Sequence, residues 1–140
     1  MERQIIKSFR SEKYQFLSNG YGCFVTFEVL RYPSVDHAFQ AAKTRDSEER
    51  KNFTVMDSAK TAIYWGKKLD LRSDWEDVKV DIMAELLRSK FSNPTLKQKL
   101  LDTDDALIIA SGDRFWGQVN GEGENTLGIL LMKVREELKA

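Results

Sequence analysis

The sequence predicts an α+β fold, mostly α-helical, with a small antiparallel β-hairpin or sheet near the N-terminus. Two features carry this. β-branched and aromatic residues crowd into one short run before Pro33, and from Ser34 onward apolar residues recur at helical spacing in segment after segment. The length, 140 residues, argues for a single compact domain over 1–140, because a chain of this size builds one core. No internal repeat or low-complexity linker divides it.

In chain order, Ile5 to Phe9 reads as a first strand, followed by a charged turn at Ser11 to Lys13. Phe16-Leu17-Ser18-Asn19-Gly20 ends in a turn pair, and the alternating residues from Phe24 to Leu30 form a β-rich run up to Pro33, a small hairpin or meander. Ser34 is a plausible N-cap for a helix whose Val35, Ala38, Phe39 and Ala42 recur at i, i+3, i+4 and i+7. Further helices are predicted at about Glu48 to Phe53, Ser58 to Gly66, Trp75 to Phe91, Pro94 to Leu101 and Thr126 to Leu138. Asp74 reads as the N-cap of the Trp75 helix, and Lys79 falls within that helix's apolar sector, so it must be paired, snorkel outward or serve a site.

Composition excludes several classes. The 22 basic residues balance 22 acidic ones, which removes the footprint of a protein that grips long nucleic acid and leaves room only for a local basic pocket. A single cysteine, Cys23, allows no intramolecular disulfide, and His37 as the only histidine argues against a metal site and for a structural role. The charged N-terminus lacks a signal core and no long apolar run occurs, so the expectation is a cytoplasmic protein with no membrane association.

Two stretches hold residues that suit chemistry better than packing. In the helix from Ser34, Asp36, Gln40 and Lys43 fall on one line beside the apolar stripe. Asp36, in the first turn, suits a base or a stabiliser of positive charge, or else simply complements the helix dipole. Lys43 suits phosphate binding or, if desolvated, attack on a sugar carbonyl; otherwise it is a solvated lysine near a helix end. The second stretch, Ser111 to Gly128, combines Asp113, Phe115 and Trp116 with Gly117, Gly121, Gly123 and Asn125. It reads either as a ligand cradle, with Trp116 stacking on a base or sugar and Asn125 capping a helix whose first amides hold phosphate, or as a surface turn closed by a buried Trp. Arg72 could reach a phosphate bidentately, or pair with Asp70 or Asp74.

PSVDHAFQAAK (33 to 43), LRSDWEDVKVDIM (71 to 83), SGDRFWG (111 to 117) and GEGENTLGILLMKVR (121 to 135), with FLSN (16 to 19) before them, resemble in order the motifs of the NADAR family, known also through YbiA-type N-glycosidases. The resemblance runs from about Phe16 to Arg135. It implies a mainly helical single domain acting on N-glycosidic bonds of ribosyl nucleotides. The implied substrates are a ribosylaminopyrimidine phosphate of the riboflavin pathway or ADP-ribose attached to guanine in nucleic acid, with no cofactor, metal or obligate protein partner. It implies catalytic roles for Asp36, Lys43 and Asp113, and ligand-binding roles for Asn19, Gln40, Arg72, Trp116, Gly117, Gly121, Gly123 and Asn125. The chain departs from the family where it has Asp36 for the usual Glu, Ile109 for a frequent Glu, and Gly20 where an aromatic is common. Asp36 and Ile109 together keep a second reading open, a non-hydrolytic module that senses ADP-ribose or NAD.

Overall fold

The computed structural model describes residues 2–139. It is mostly helical, with short strands in two small sheets: β1 (Ile5–Ile6), β2 (Val25–Phe27), β3 (Leu30–Tyr32), α1 (Val35–Ala41), α2 (Ser47–Phe53), α3 (Ala59–Gly66), α4 (Trp75–Lys90), α5 (Pro94–Leu101), β4 (Leu107–Ile108) and α6 (Thr126–Leu138). Two compact units are present, one from the chain ends (up to Ser18 and from Phe91), the other Asn19–Lys90. No helix is long and apolar enough to cross a membrane.

In the central unit α1 packs against α2, α3, α4 and both strands of the hairpin. Ala38, Ala41 and Ala42 are fully buried, and their small side chains let neighbouring helices approach closely. Gly66 serves the same contact from α3, since a Cβ there would run into Gln40 Oε1. The helix starts where expected: Ser34 Oγ accepts the His37 N–H at 3.2 Å and lies 2.7 Å from His37 Nδ1, while His37 Nε2 meets Met56 O at 3.1 Å. Both ring nitrogens have protein partners, so His37 is structural, as the sequence suggests. Phe39 and Trp75 join α1 to α4, with ring centroids 5.0 Å apart. Lys79 is paired, its ammonium 2.6 Å from Glu76 one turn back.

β2 and β3 form an antiparallel hairpin with Val25 opposite Tyr32 and Phe27 opposite Leu30. The β-rich run does not continue unbroken to Pro33. It turns at Glu28 and Val29, whose φ angles of 43° and 82° are those that glycine and asparagine adopt readily. Composition hides this turn, because neither residue carries a turn signal.

In the other unit β1 pairs with β4 in parallel, Ile5 beside Leu107 and Ile6 beside Ile108. The first strand is thus shorter than Ile5 to Phe9 and pairs with a segment a hundred residues away rather than with the hairpin. α6 packs against β4 and α5. Phe16 meets Phe91 edge-on at 6.4 Å, and Arg135 donates to Thr103 Oγ1 at 2.9 Å.

Candidate active site

The strongest concentration of perturbed charge lies in the central unit. Asp36 is held in the first turn of α1 by its own N–H, which donates to Asn19 O at 2.9 Å. Its side chain is largely desolvated, and this burial pushes the carboxyl up to about 6 against the opposing pull of Lys90. Lys90, in the last turn of α4, has no exposed surface at all. Burial brings its ammonium down to about 8, with Cys23 and Asp36 acting in the other direction. The Tyr21 ring sits 5.7 Å from the Lys90 ammonium, and the Cys23 thiol lies 4.0 Å from the Lys90 carbonyl.

Lys90 was missed in the sequence, although a signal existed. It follows Ile82 and Leu86 at intervals of four, and so continues the apolar face of α4 as a charge in an apolar register. Nothing in the composition of the Tyr21 to Cys23 segment marks it as the wall of a charged cluster.

Around Asp36 stand two amides whose oxygens lack partners. Asn19 Oδ1 and Gln40 Oε1 are both buried without a hydrogen bond. Such acceptors carry a desolvation penalty unless a ligand donor or water meets them. Asn19 Nδ2 lies 3.8 Å from Met83 Sδ, a weak contact that leaves the amide's orientation open to a ligand. Lys43, at the end of the α1 line, is half-buried; burial first, and then the charge of Lys67, lower its pKa. The cationic neighbour that an activated amine requires is therefore Lys67 rather than Arg72.

Arg72 is committed elsewhere. Its guanidinium makes a bidentate pair with Asp74, Nε to Oδ1 at 2.6 Å and Nη2 to Oδ2 at 3.1 Å, and Arg45 adds a third bond to the same carboxylate at 2.8 Å. The cavity beside it is also lined by Glu28, Asp81 and Glu85. A dianionic phosphate would meet three carboxylates there, and the guanidinium that was expected to bind it already holds an ion pair. The Arg72 backbone N–H donates to Lys43 O at 2.8 Å, tying the approach to α4 onto the end of α1.

The glycine-rich stretch is built to satisfy itself. Asp113 Oδ1 accepts the Phe115 and Trp116 N–H groups at 2.9 and 2.7 Å, so this exposed carboxylate closes a turn. At the start of α6, the Thr126 and Leu127 amides donate to Phe115 O and Trp116 O at 3.0 and 2.8 Å. The amides expected to cradle phosphate are occupied by backbone. Asn125 stands at the N-cap position but makes no cap bond with its side chain. Instead its buried amide accepts from Ala110 N and donates to Ile108 O, both at 2.9 Å.

The glycines serve the same packing. A Cβ on Gly117 would strike Ala110 O, and one on Gly123, at φ 143°, would strike Gly117 O. Close backbone approach is required here, but to the chain itself. Gly121 forms the second half of the Asn120–Gly121 turn between Val119 and Glu122. Trp116 is half-buried and its ring lies perpendicular to that of Phe115, with centroids 4.9 Å apart.

The model of the NADAR domain matches residues 7–139. A riboflavin biosynthesis protein of Vibrio vulnificus is 34% identical over 145 residues, covering 99% of this chain, and this chain spans only 40% of that protein's length. The N-glycosidase YbiA of Escherichia coli (strain K12) is 34% identical over 134 residues, covering 86% of this chain and 84% of YbiA. The NMR structure of E. coli YbiA superposes with a TM-score of 0.85 at 32% identity, over 99% of this chain and 87% of that one. With ordered motifs, fold and family model in agreement along nearly its whole length, this chain belongs to the NADAR family.

Proposed function

We propose that this protein is an N-glycosidase that hydrolyses the bond between C1′ of a ribosyl nucleotide and the nitrogen of its base. The observation that carries the reading is the largely desolvated Asp36 carboxyl, poised at about 6 beside the fully buried Lys90. Breaking a ribosyl C–N bond places positive charge on C1′ and the ring oxygen, which a desolvated carboxylate stabilises strongly. The N-glycosidase name of the YbiA relatives supports the same reaction class.

Above about pH 6 Asp36 is ionised and can take the proton of the water that adds to C1′, while the departing base nitrogen takes a proton from solvent as its bond breaks. The carboxylic acid so formed is acidic enough to return its proton at neutral pH. Lys90 has no exposed surface, so it acts on Asp36 rather than on the sugar; its charge limits how far burial raises the carboxyl. Lys43 is accessible and its pKa is lowered, which suits it to trap an opened ribose as a Schiff base. Asn19 Oδ1 and Gln40 Oε1 are acceptors suited to ribose hydroxyls. ADP-ribose on guanine and a ribosylaminopyrimidine phosphate are the two substrates in view, the second supported by the name of the Vibrio relative.

Incubation with NAD, ADP-ribose, a ribosylaminopyrimidine phosphate and a short DNA carrying ADP-ribosylated guanine, followed by mass spectrometry, tests the reading. Release of free base or free ADP-ribose is expected from one of them, lost in Asp36→Asn. Binding without release from any would overturn hydrolysis in favour of a sensor. Borohydride added during turnover is expected to fix a sugar fragment on Lys43; an active enzyme that gives no adduct, and that tolerates Lys43→Arg, would remove the Schiff base from the scheme.

A further inference from the structure

A cavity of about 420 Å³ opens in the central unit between α2 and α3, lined by none of the residues proposed to act on the sugar. Its volume falls within the ~300–1,000 Å³ typical of small-molecule sites. Phe53, Met56 and Leu69 give it an apolar lining, and Trp65 adds a wall that is still 49% exposed. Tyr64 meets Trp65 edge-on, with rings 5.2 Å apart and 89° between planes. That perpendicular contact leaves much of the indole exposed to a planar ligand.

The polar groups on this cavity are few and of complementary kinds. Glu49 is held in place by the Thr44 hydroxyl, which donates to its Oε1 at 2.8 Å, and its second oxygen is left to accept from a ligand. Asn52, one turn of α2 further along and exposed, offers both an amide donor and an acceptor. Lys68 pairs with no carboxylate among the described residues; its ammonium lies 4.9 Å from the Tyr64 ring centroid. An aromatic wall, a fixed acceptor, an amide and a separate cation together match a flat heteroaromatic base that bears an amino group and carries an anionic tail.

We propose that this cleft is a nucleotide-binding site, taking an amino-bearing purine base against Trp65, its amino group on Glu49 and Asn52, and its phosphate on Lys68. The site goes beyond the glycosidase reading and does not depend on it. Hydrophobic burial alone would recruit any apolar ligand, but a carboxylate fixed at the lining disfavours one without a donor.

Adenosine monophosphate is the probe, titrated into ¹⁵N-labelled protein while the Trp65 indole N–H and the Asn52 side-chain amide are followed. Saturable shifts at both are expected with a Kd of ~1 mM or tighter. Trp65→Ala should weaken binding by about tenfold or more, as for loss of base stacking. Lys68→Glu should weaken the monophosphate and leave adenosine unchanged, and inosine monophosphate, which lacks the amino group, should bind less well than adenosine monophosphate. Trp65 is half-exposed, so its removal should leave the unfolding midpoint near that of the parent; should it unfold the protein, the Lys68→Glu and inosine comparisons still decide. Shifts that are absent, that survive Trp65→Ala in full, or that are equal for both monophosphates would overturn the proposal. Asp36→Asn should retain binding here, so loss of glycosidase activity and loss of this site are separately visible.

Discussion

Replacing Asp36 by Asn should make the protein more stable at neutral pH while abolishing turnover. Below the ordinary carboxyl value of 3.8 the group is protonated whether the chain is folded or not. As pH rises from 3.8 to about 6, the unfolded chain gives up this proton and the folded chain keeps it. Stability therefore falls across that window and stays lower above it. A shift of this size corresponds to about 3 kcal/mol at neutral pH, taking ~1.4 kcal/mol per unit. Asparagine has nearly the same shape, keeps the backbone bond to Asn19 O, and carries no charge to desolvate. The attraction of Lys90 is already contained in that figure, because it limits how far burial raises the carboxyl, so a net increase of about 3 kcal/mol is expected at pH 7, shrinking toward zero by pH 4. Urea unfolding of both proteins at intervals from pH 4 to pH 8 measures it. A variant less stable than its parent at pH 7, or a gap that does not change with pH, would refute the claim that Asp36 is held desolvated against its preference.

Two further substitutions separate backbone strain from function. Val29 is 95% exposed at φ 82°, a poor conformation for a β-branched residue. Val29→Gly should therefore raise stability by ~1 kcal/mol in the same urea assay, the relief of strain exceeding the greater freedom glycine gives the unfolded chain. Asn125→Ala should destabilise by ~2–4 kcal/mol, because it orphans the Ala110 N–H and Ile108 C=O and places alanine at φ 54°. Ligand affinity of the folded fraction should be unchanged; weaker affinity at full stability would return Asn125 to ligand binding.

The helices were legible because four of them begin on local chemistry. Ser34, Asp46, Ser58 and Asn93 all cap with their side chains, and Pro94 occupies the first turn of α5. What was not legible depends on partners remote in sequence, or on conformations against type. The β1 and β4 strands are two residues each, and their pairing is a property of the folded chain that no local window contains. Asn120–Gly121 makes a hairpin turn from residues suited to it, whereas Glu28–Val29 makes a turn at similar φ from residues that are not. The Glu28 carboxylate is bonded to the buried Arg50 at 3.1 Å, so tertiary contact supports what local preference resists.

The candidate site shows the same division between local pattern and tertiary demand. The glycine spacing from 117 to 123 suggested a cradle, but glycine permits close approach to any group, and here the group is the chain's own backbone. Spacing alone does not distinguish the two. The line of Asp36, Gln40 and Lys43 was more informative, because polar residues beside the apolar stripe of a helix need a reason to be there. α1 is the helix that the other elements of its unit pack against. A carboxylate and an amide on it therefore lose water, Asp36 with its carboxyl raised by burial and Gln40 with an unpartnered oxygen, while Lys43, two residues past the helix end at Ala41, is half-buried with its pKa lowered by burial. Apolar residues of similar size would lower the free energy of the fold at each position. The N-glycosidase reading proposed above gives the Asp36 carboxyl and the Gln40 oxygen a ligand to supply the missing partners.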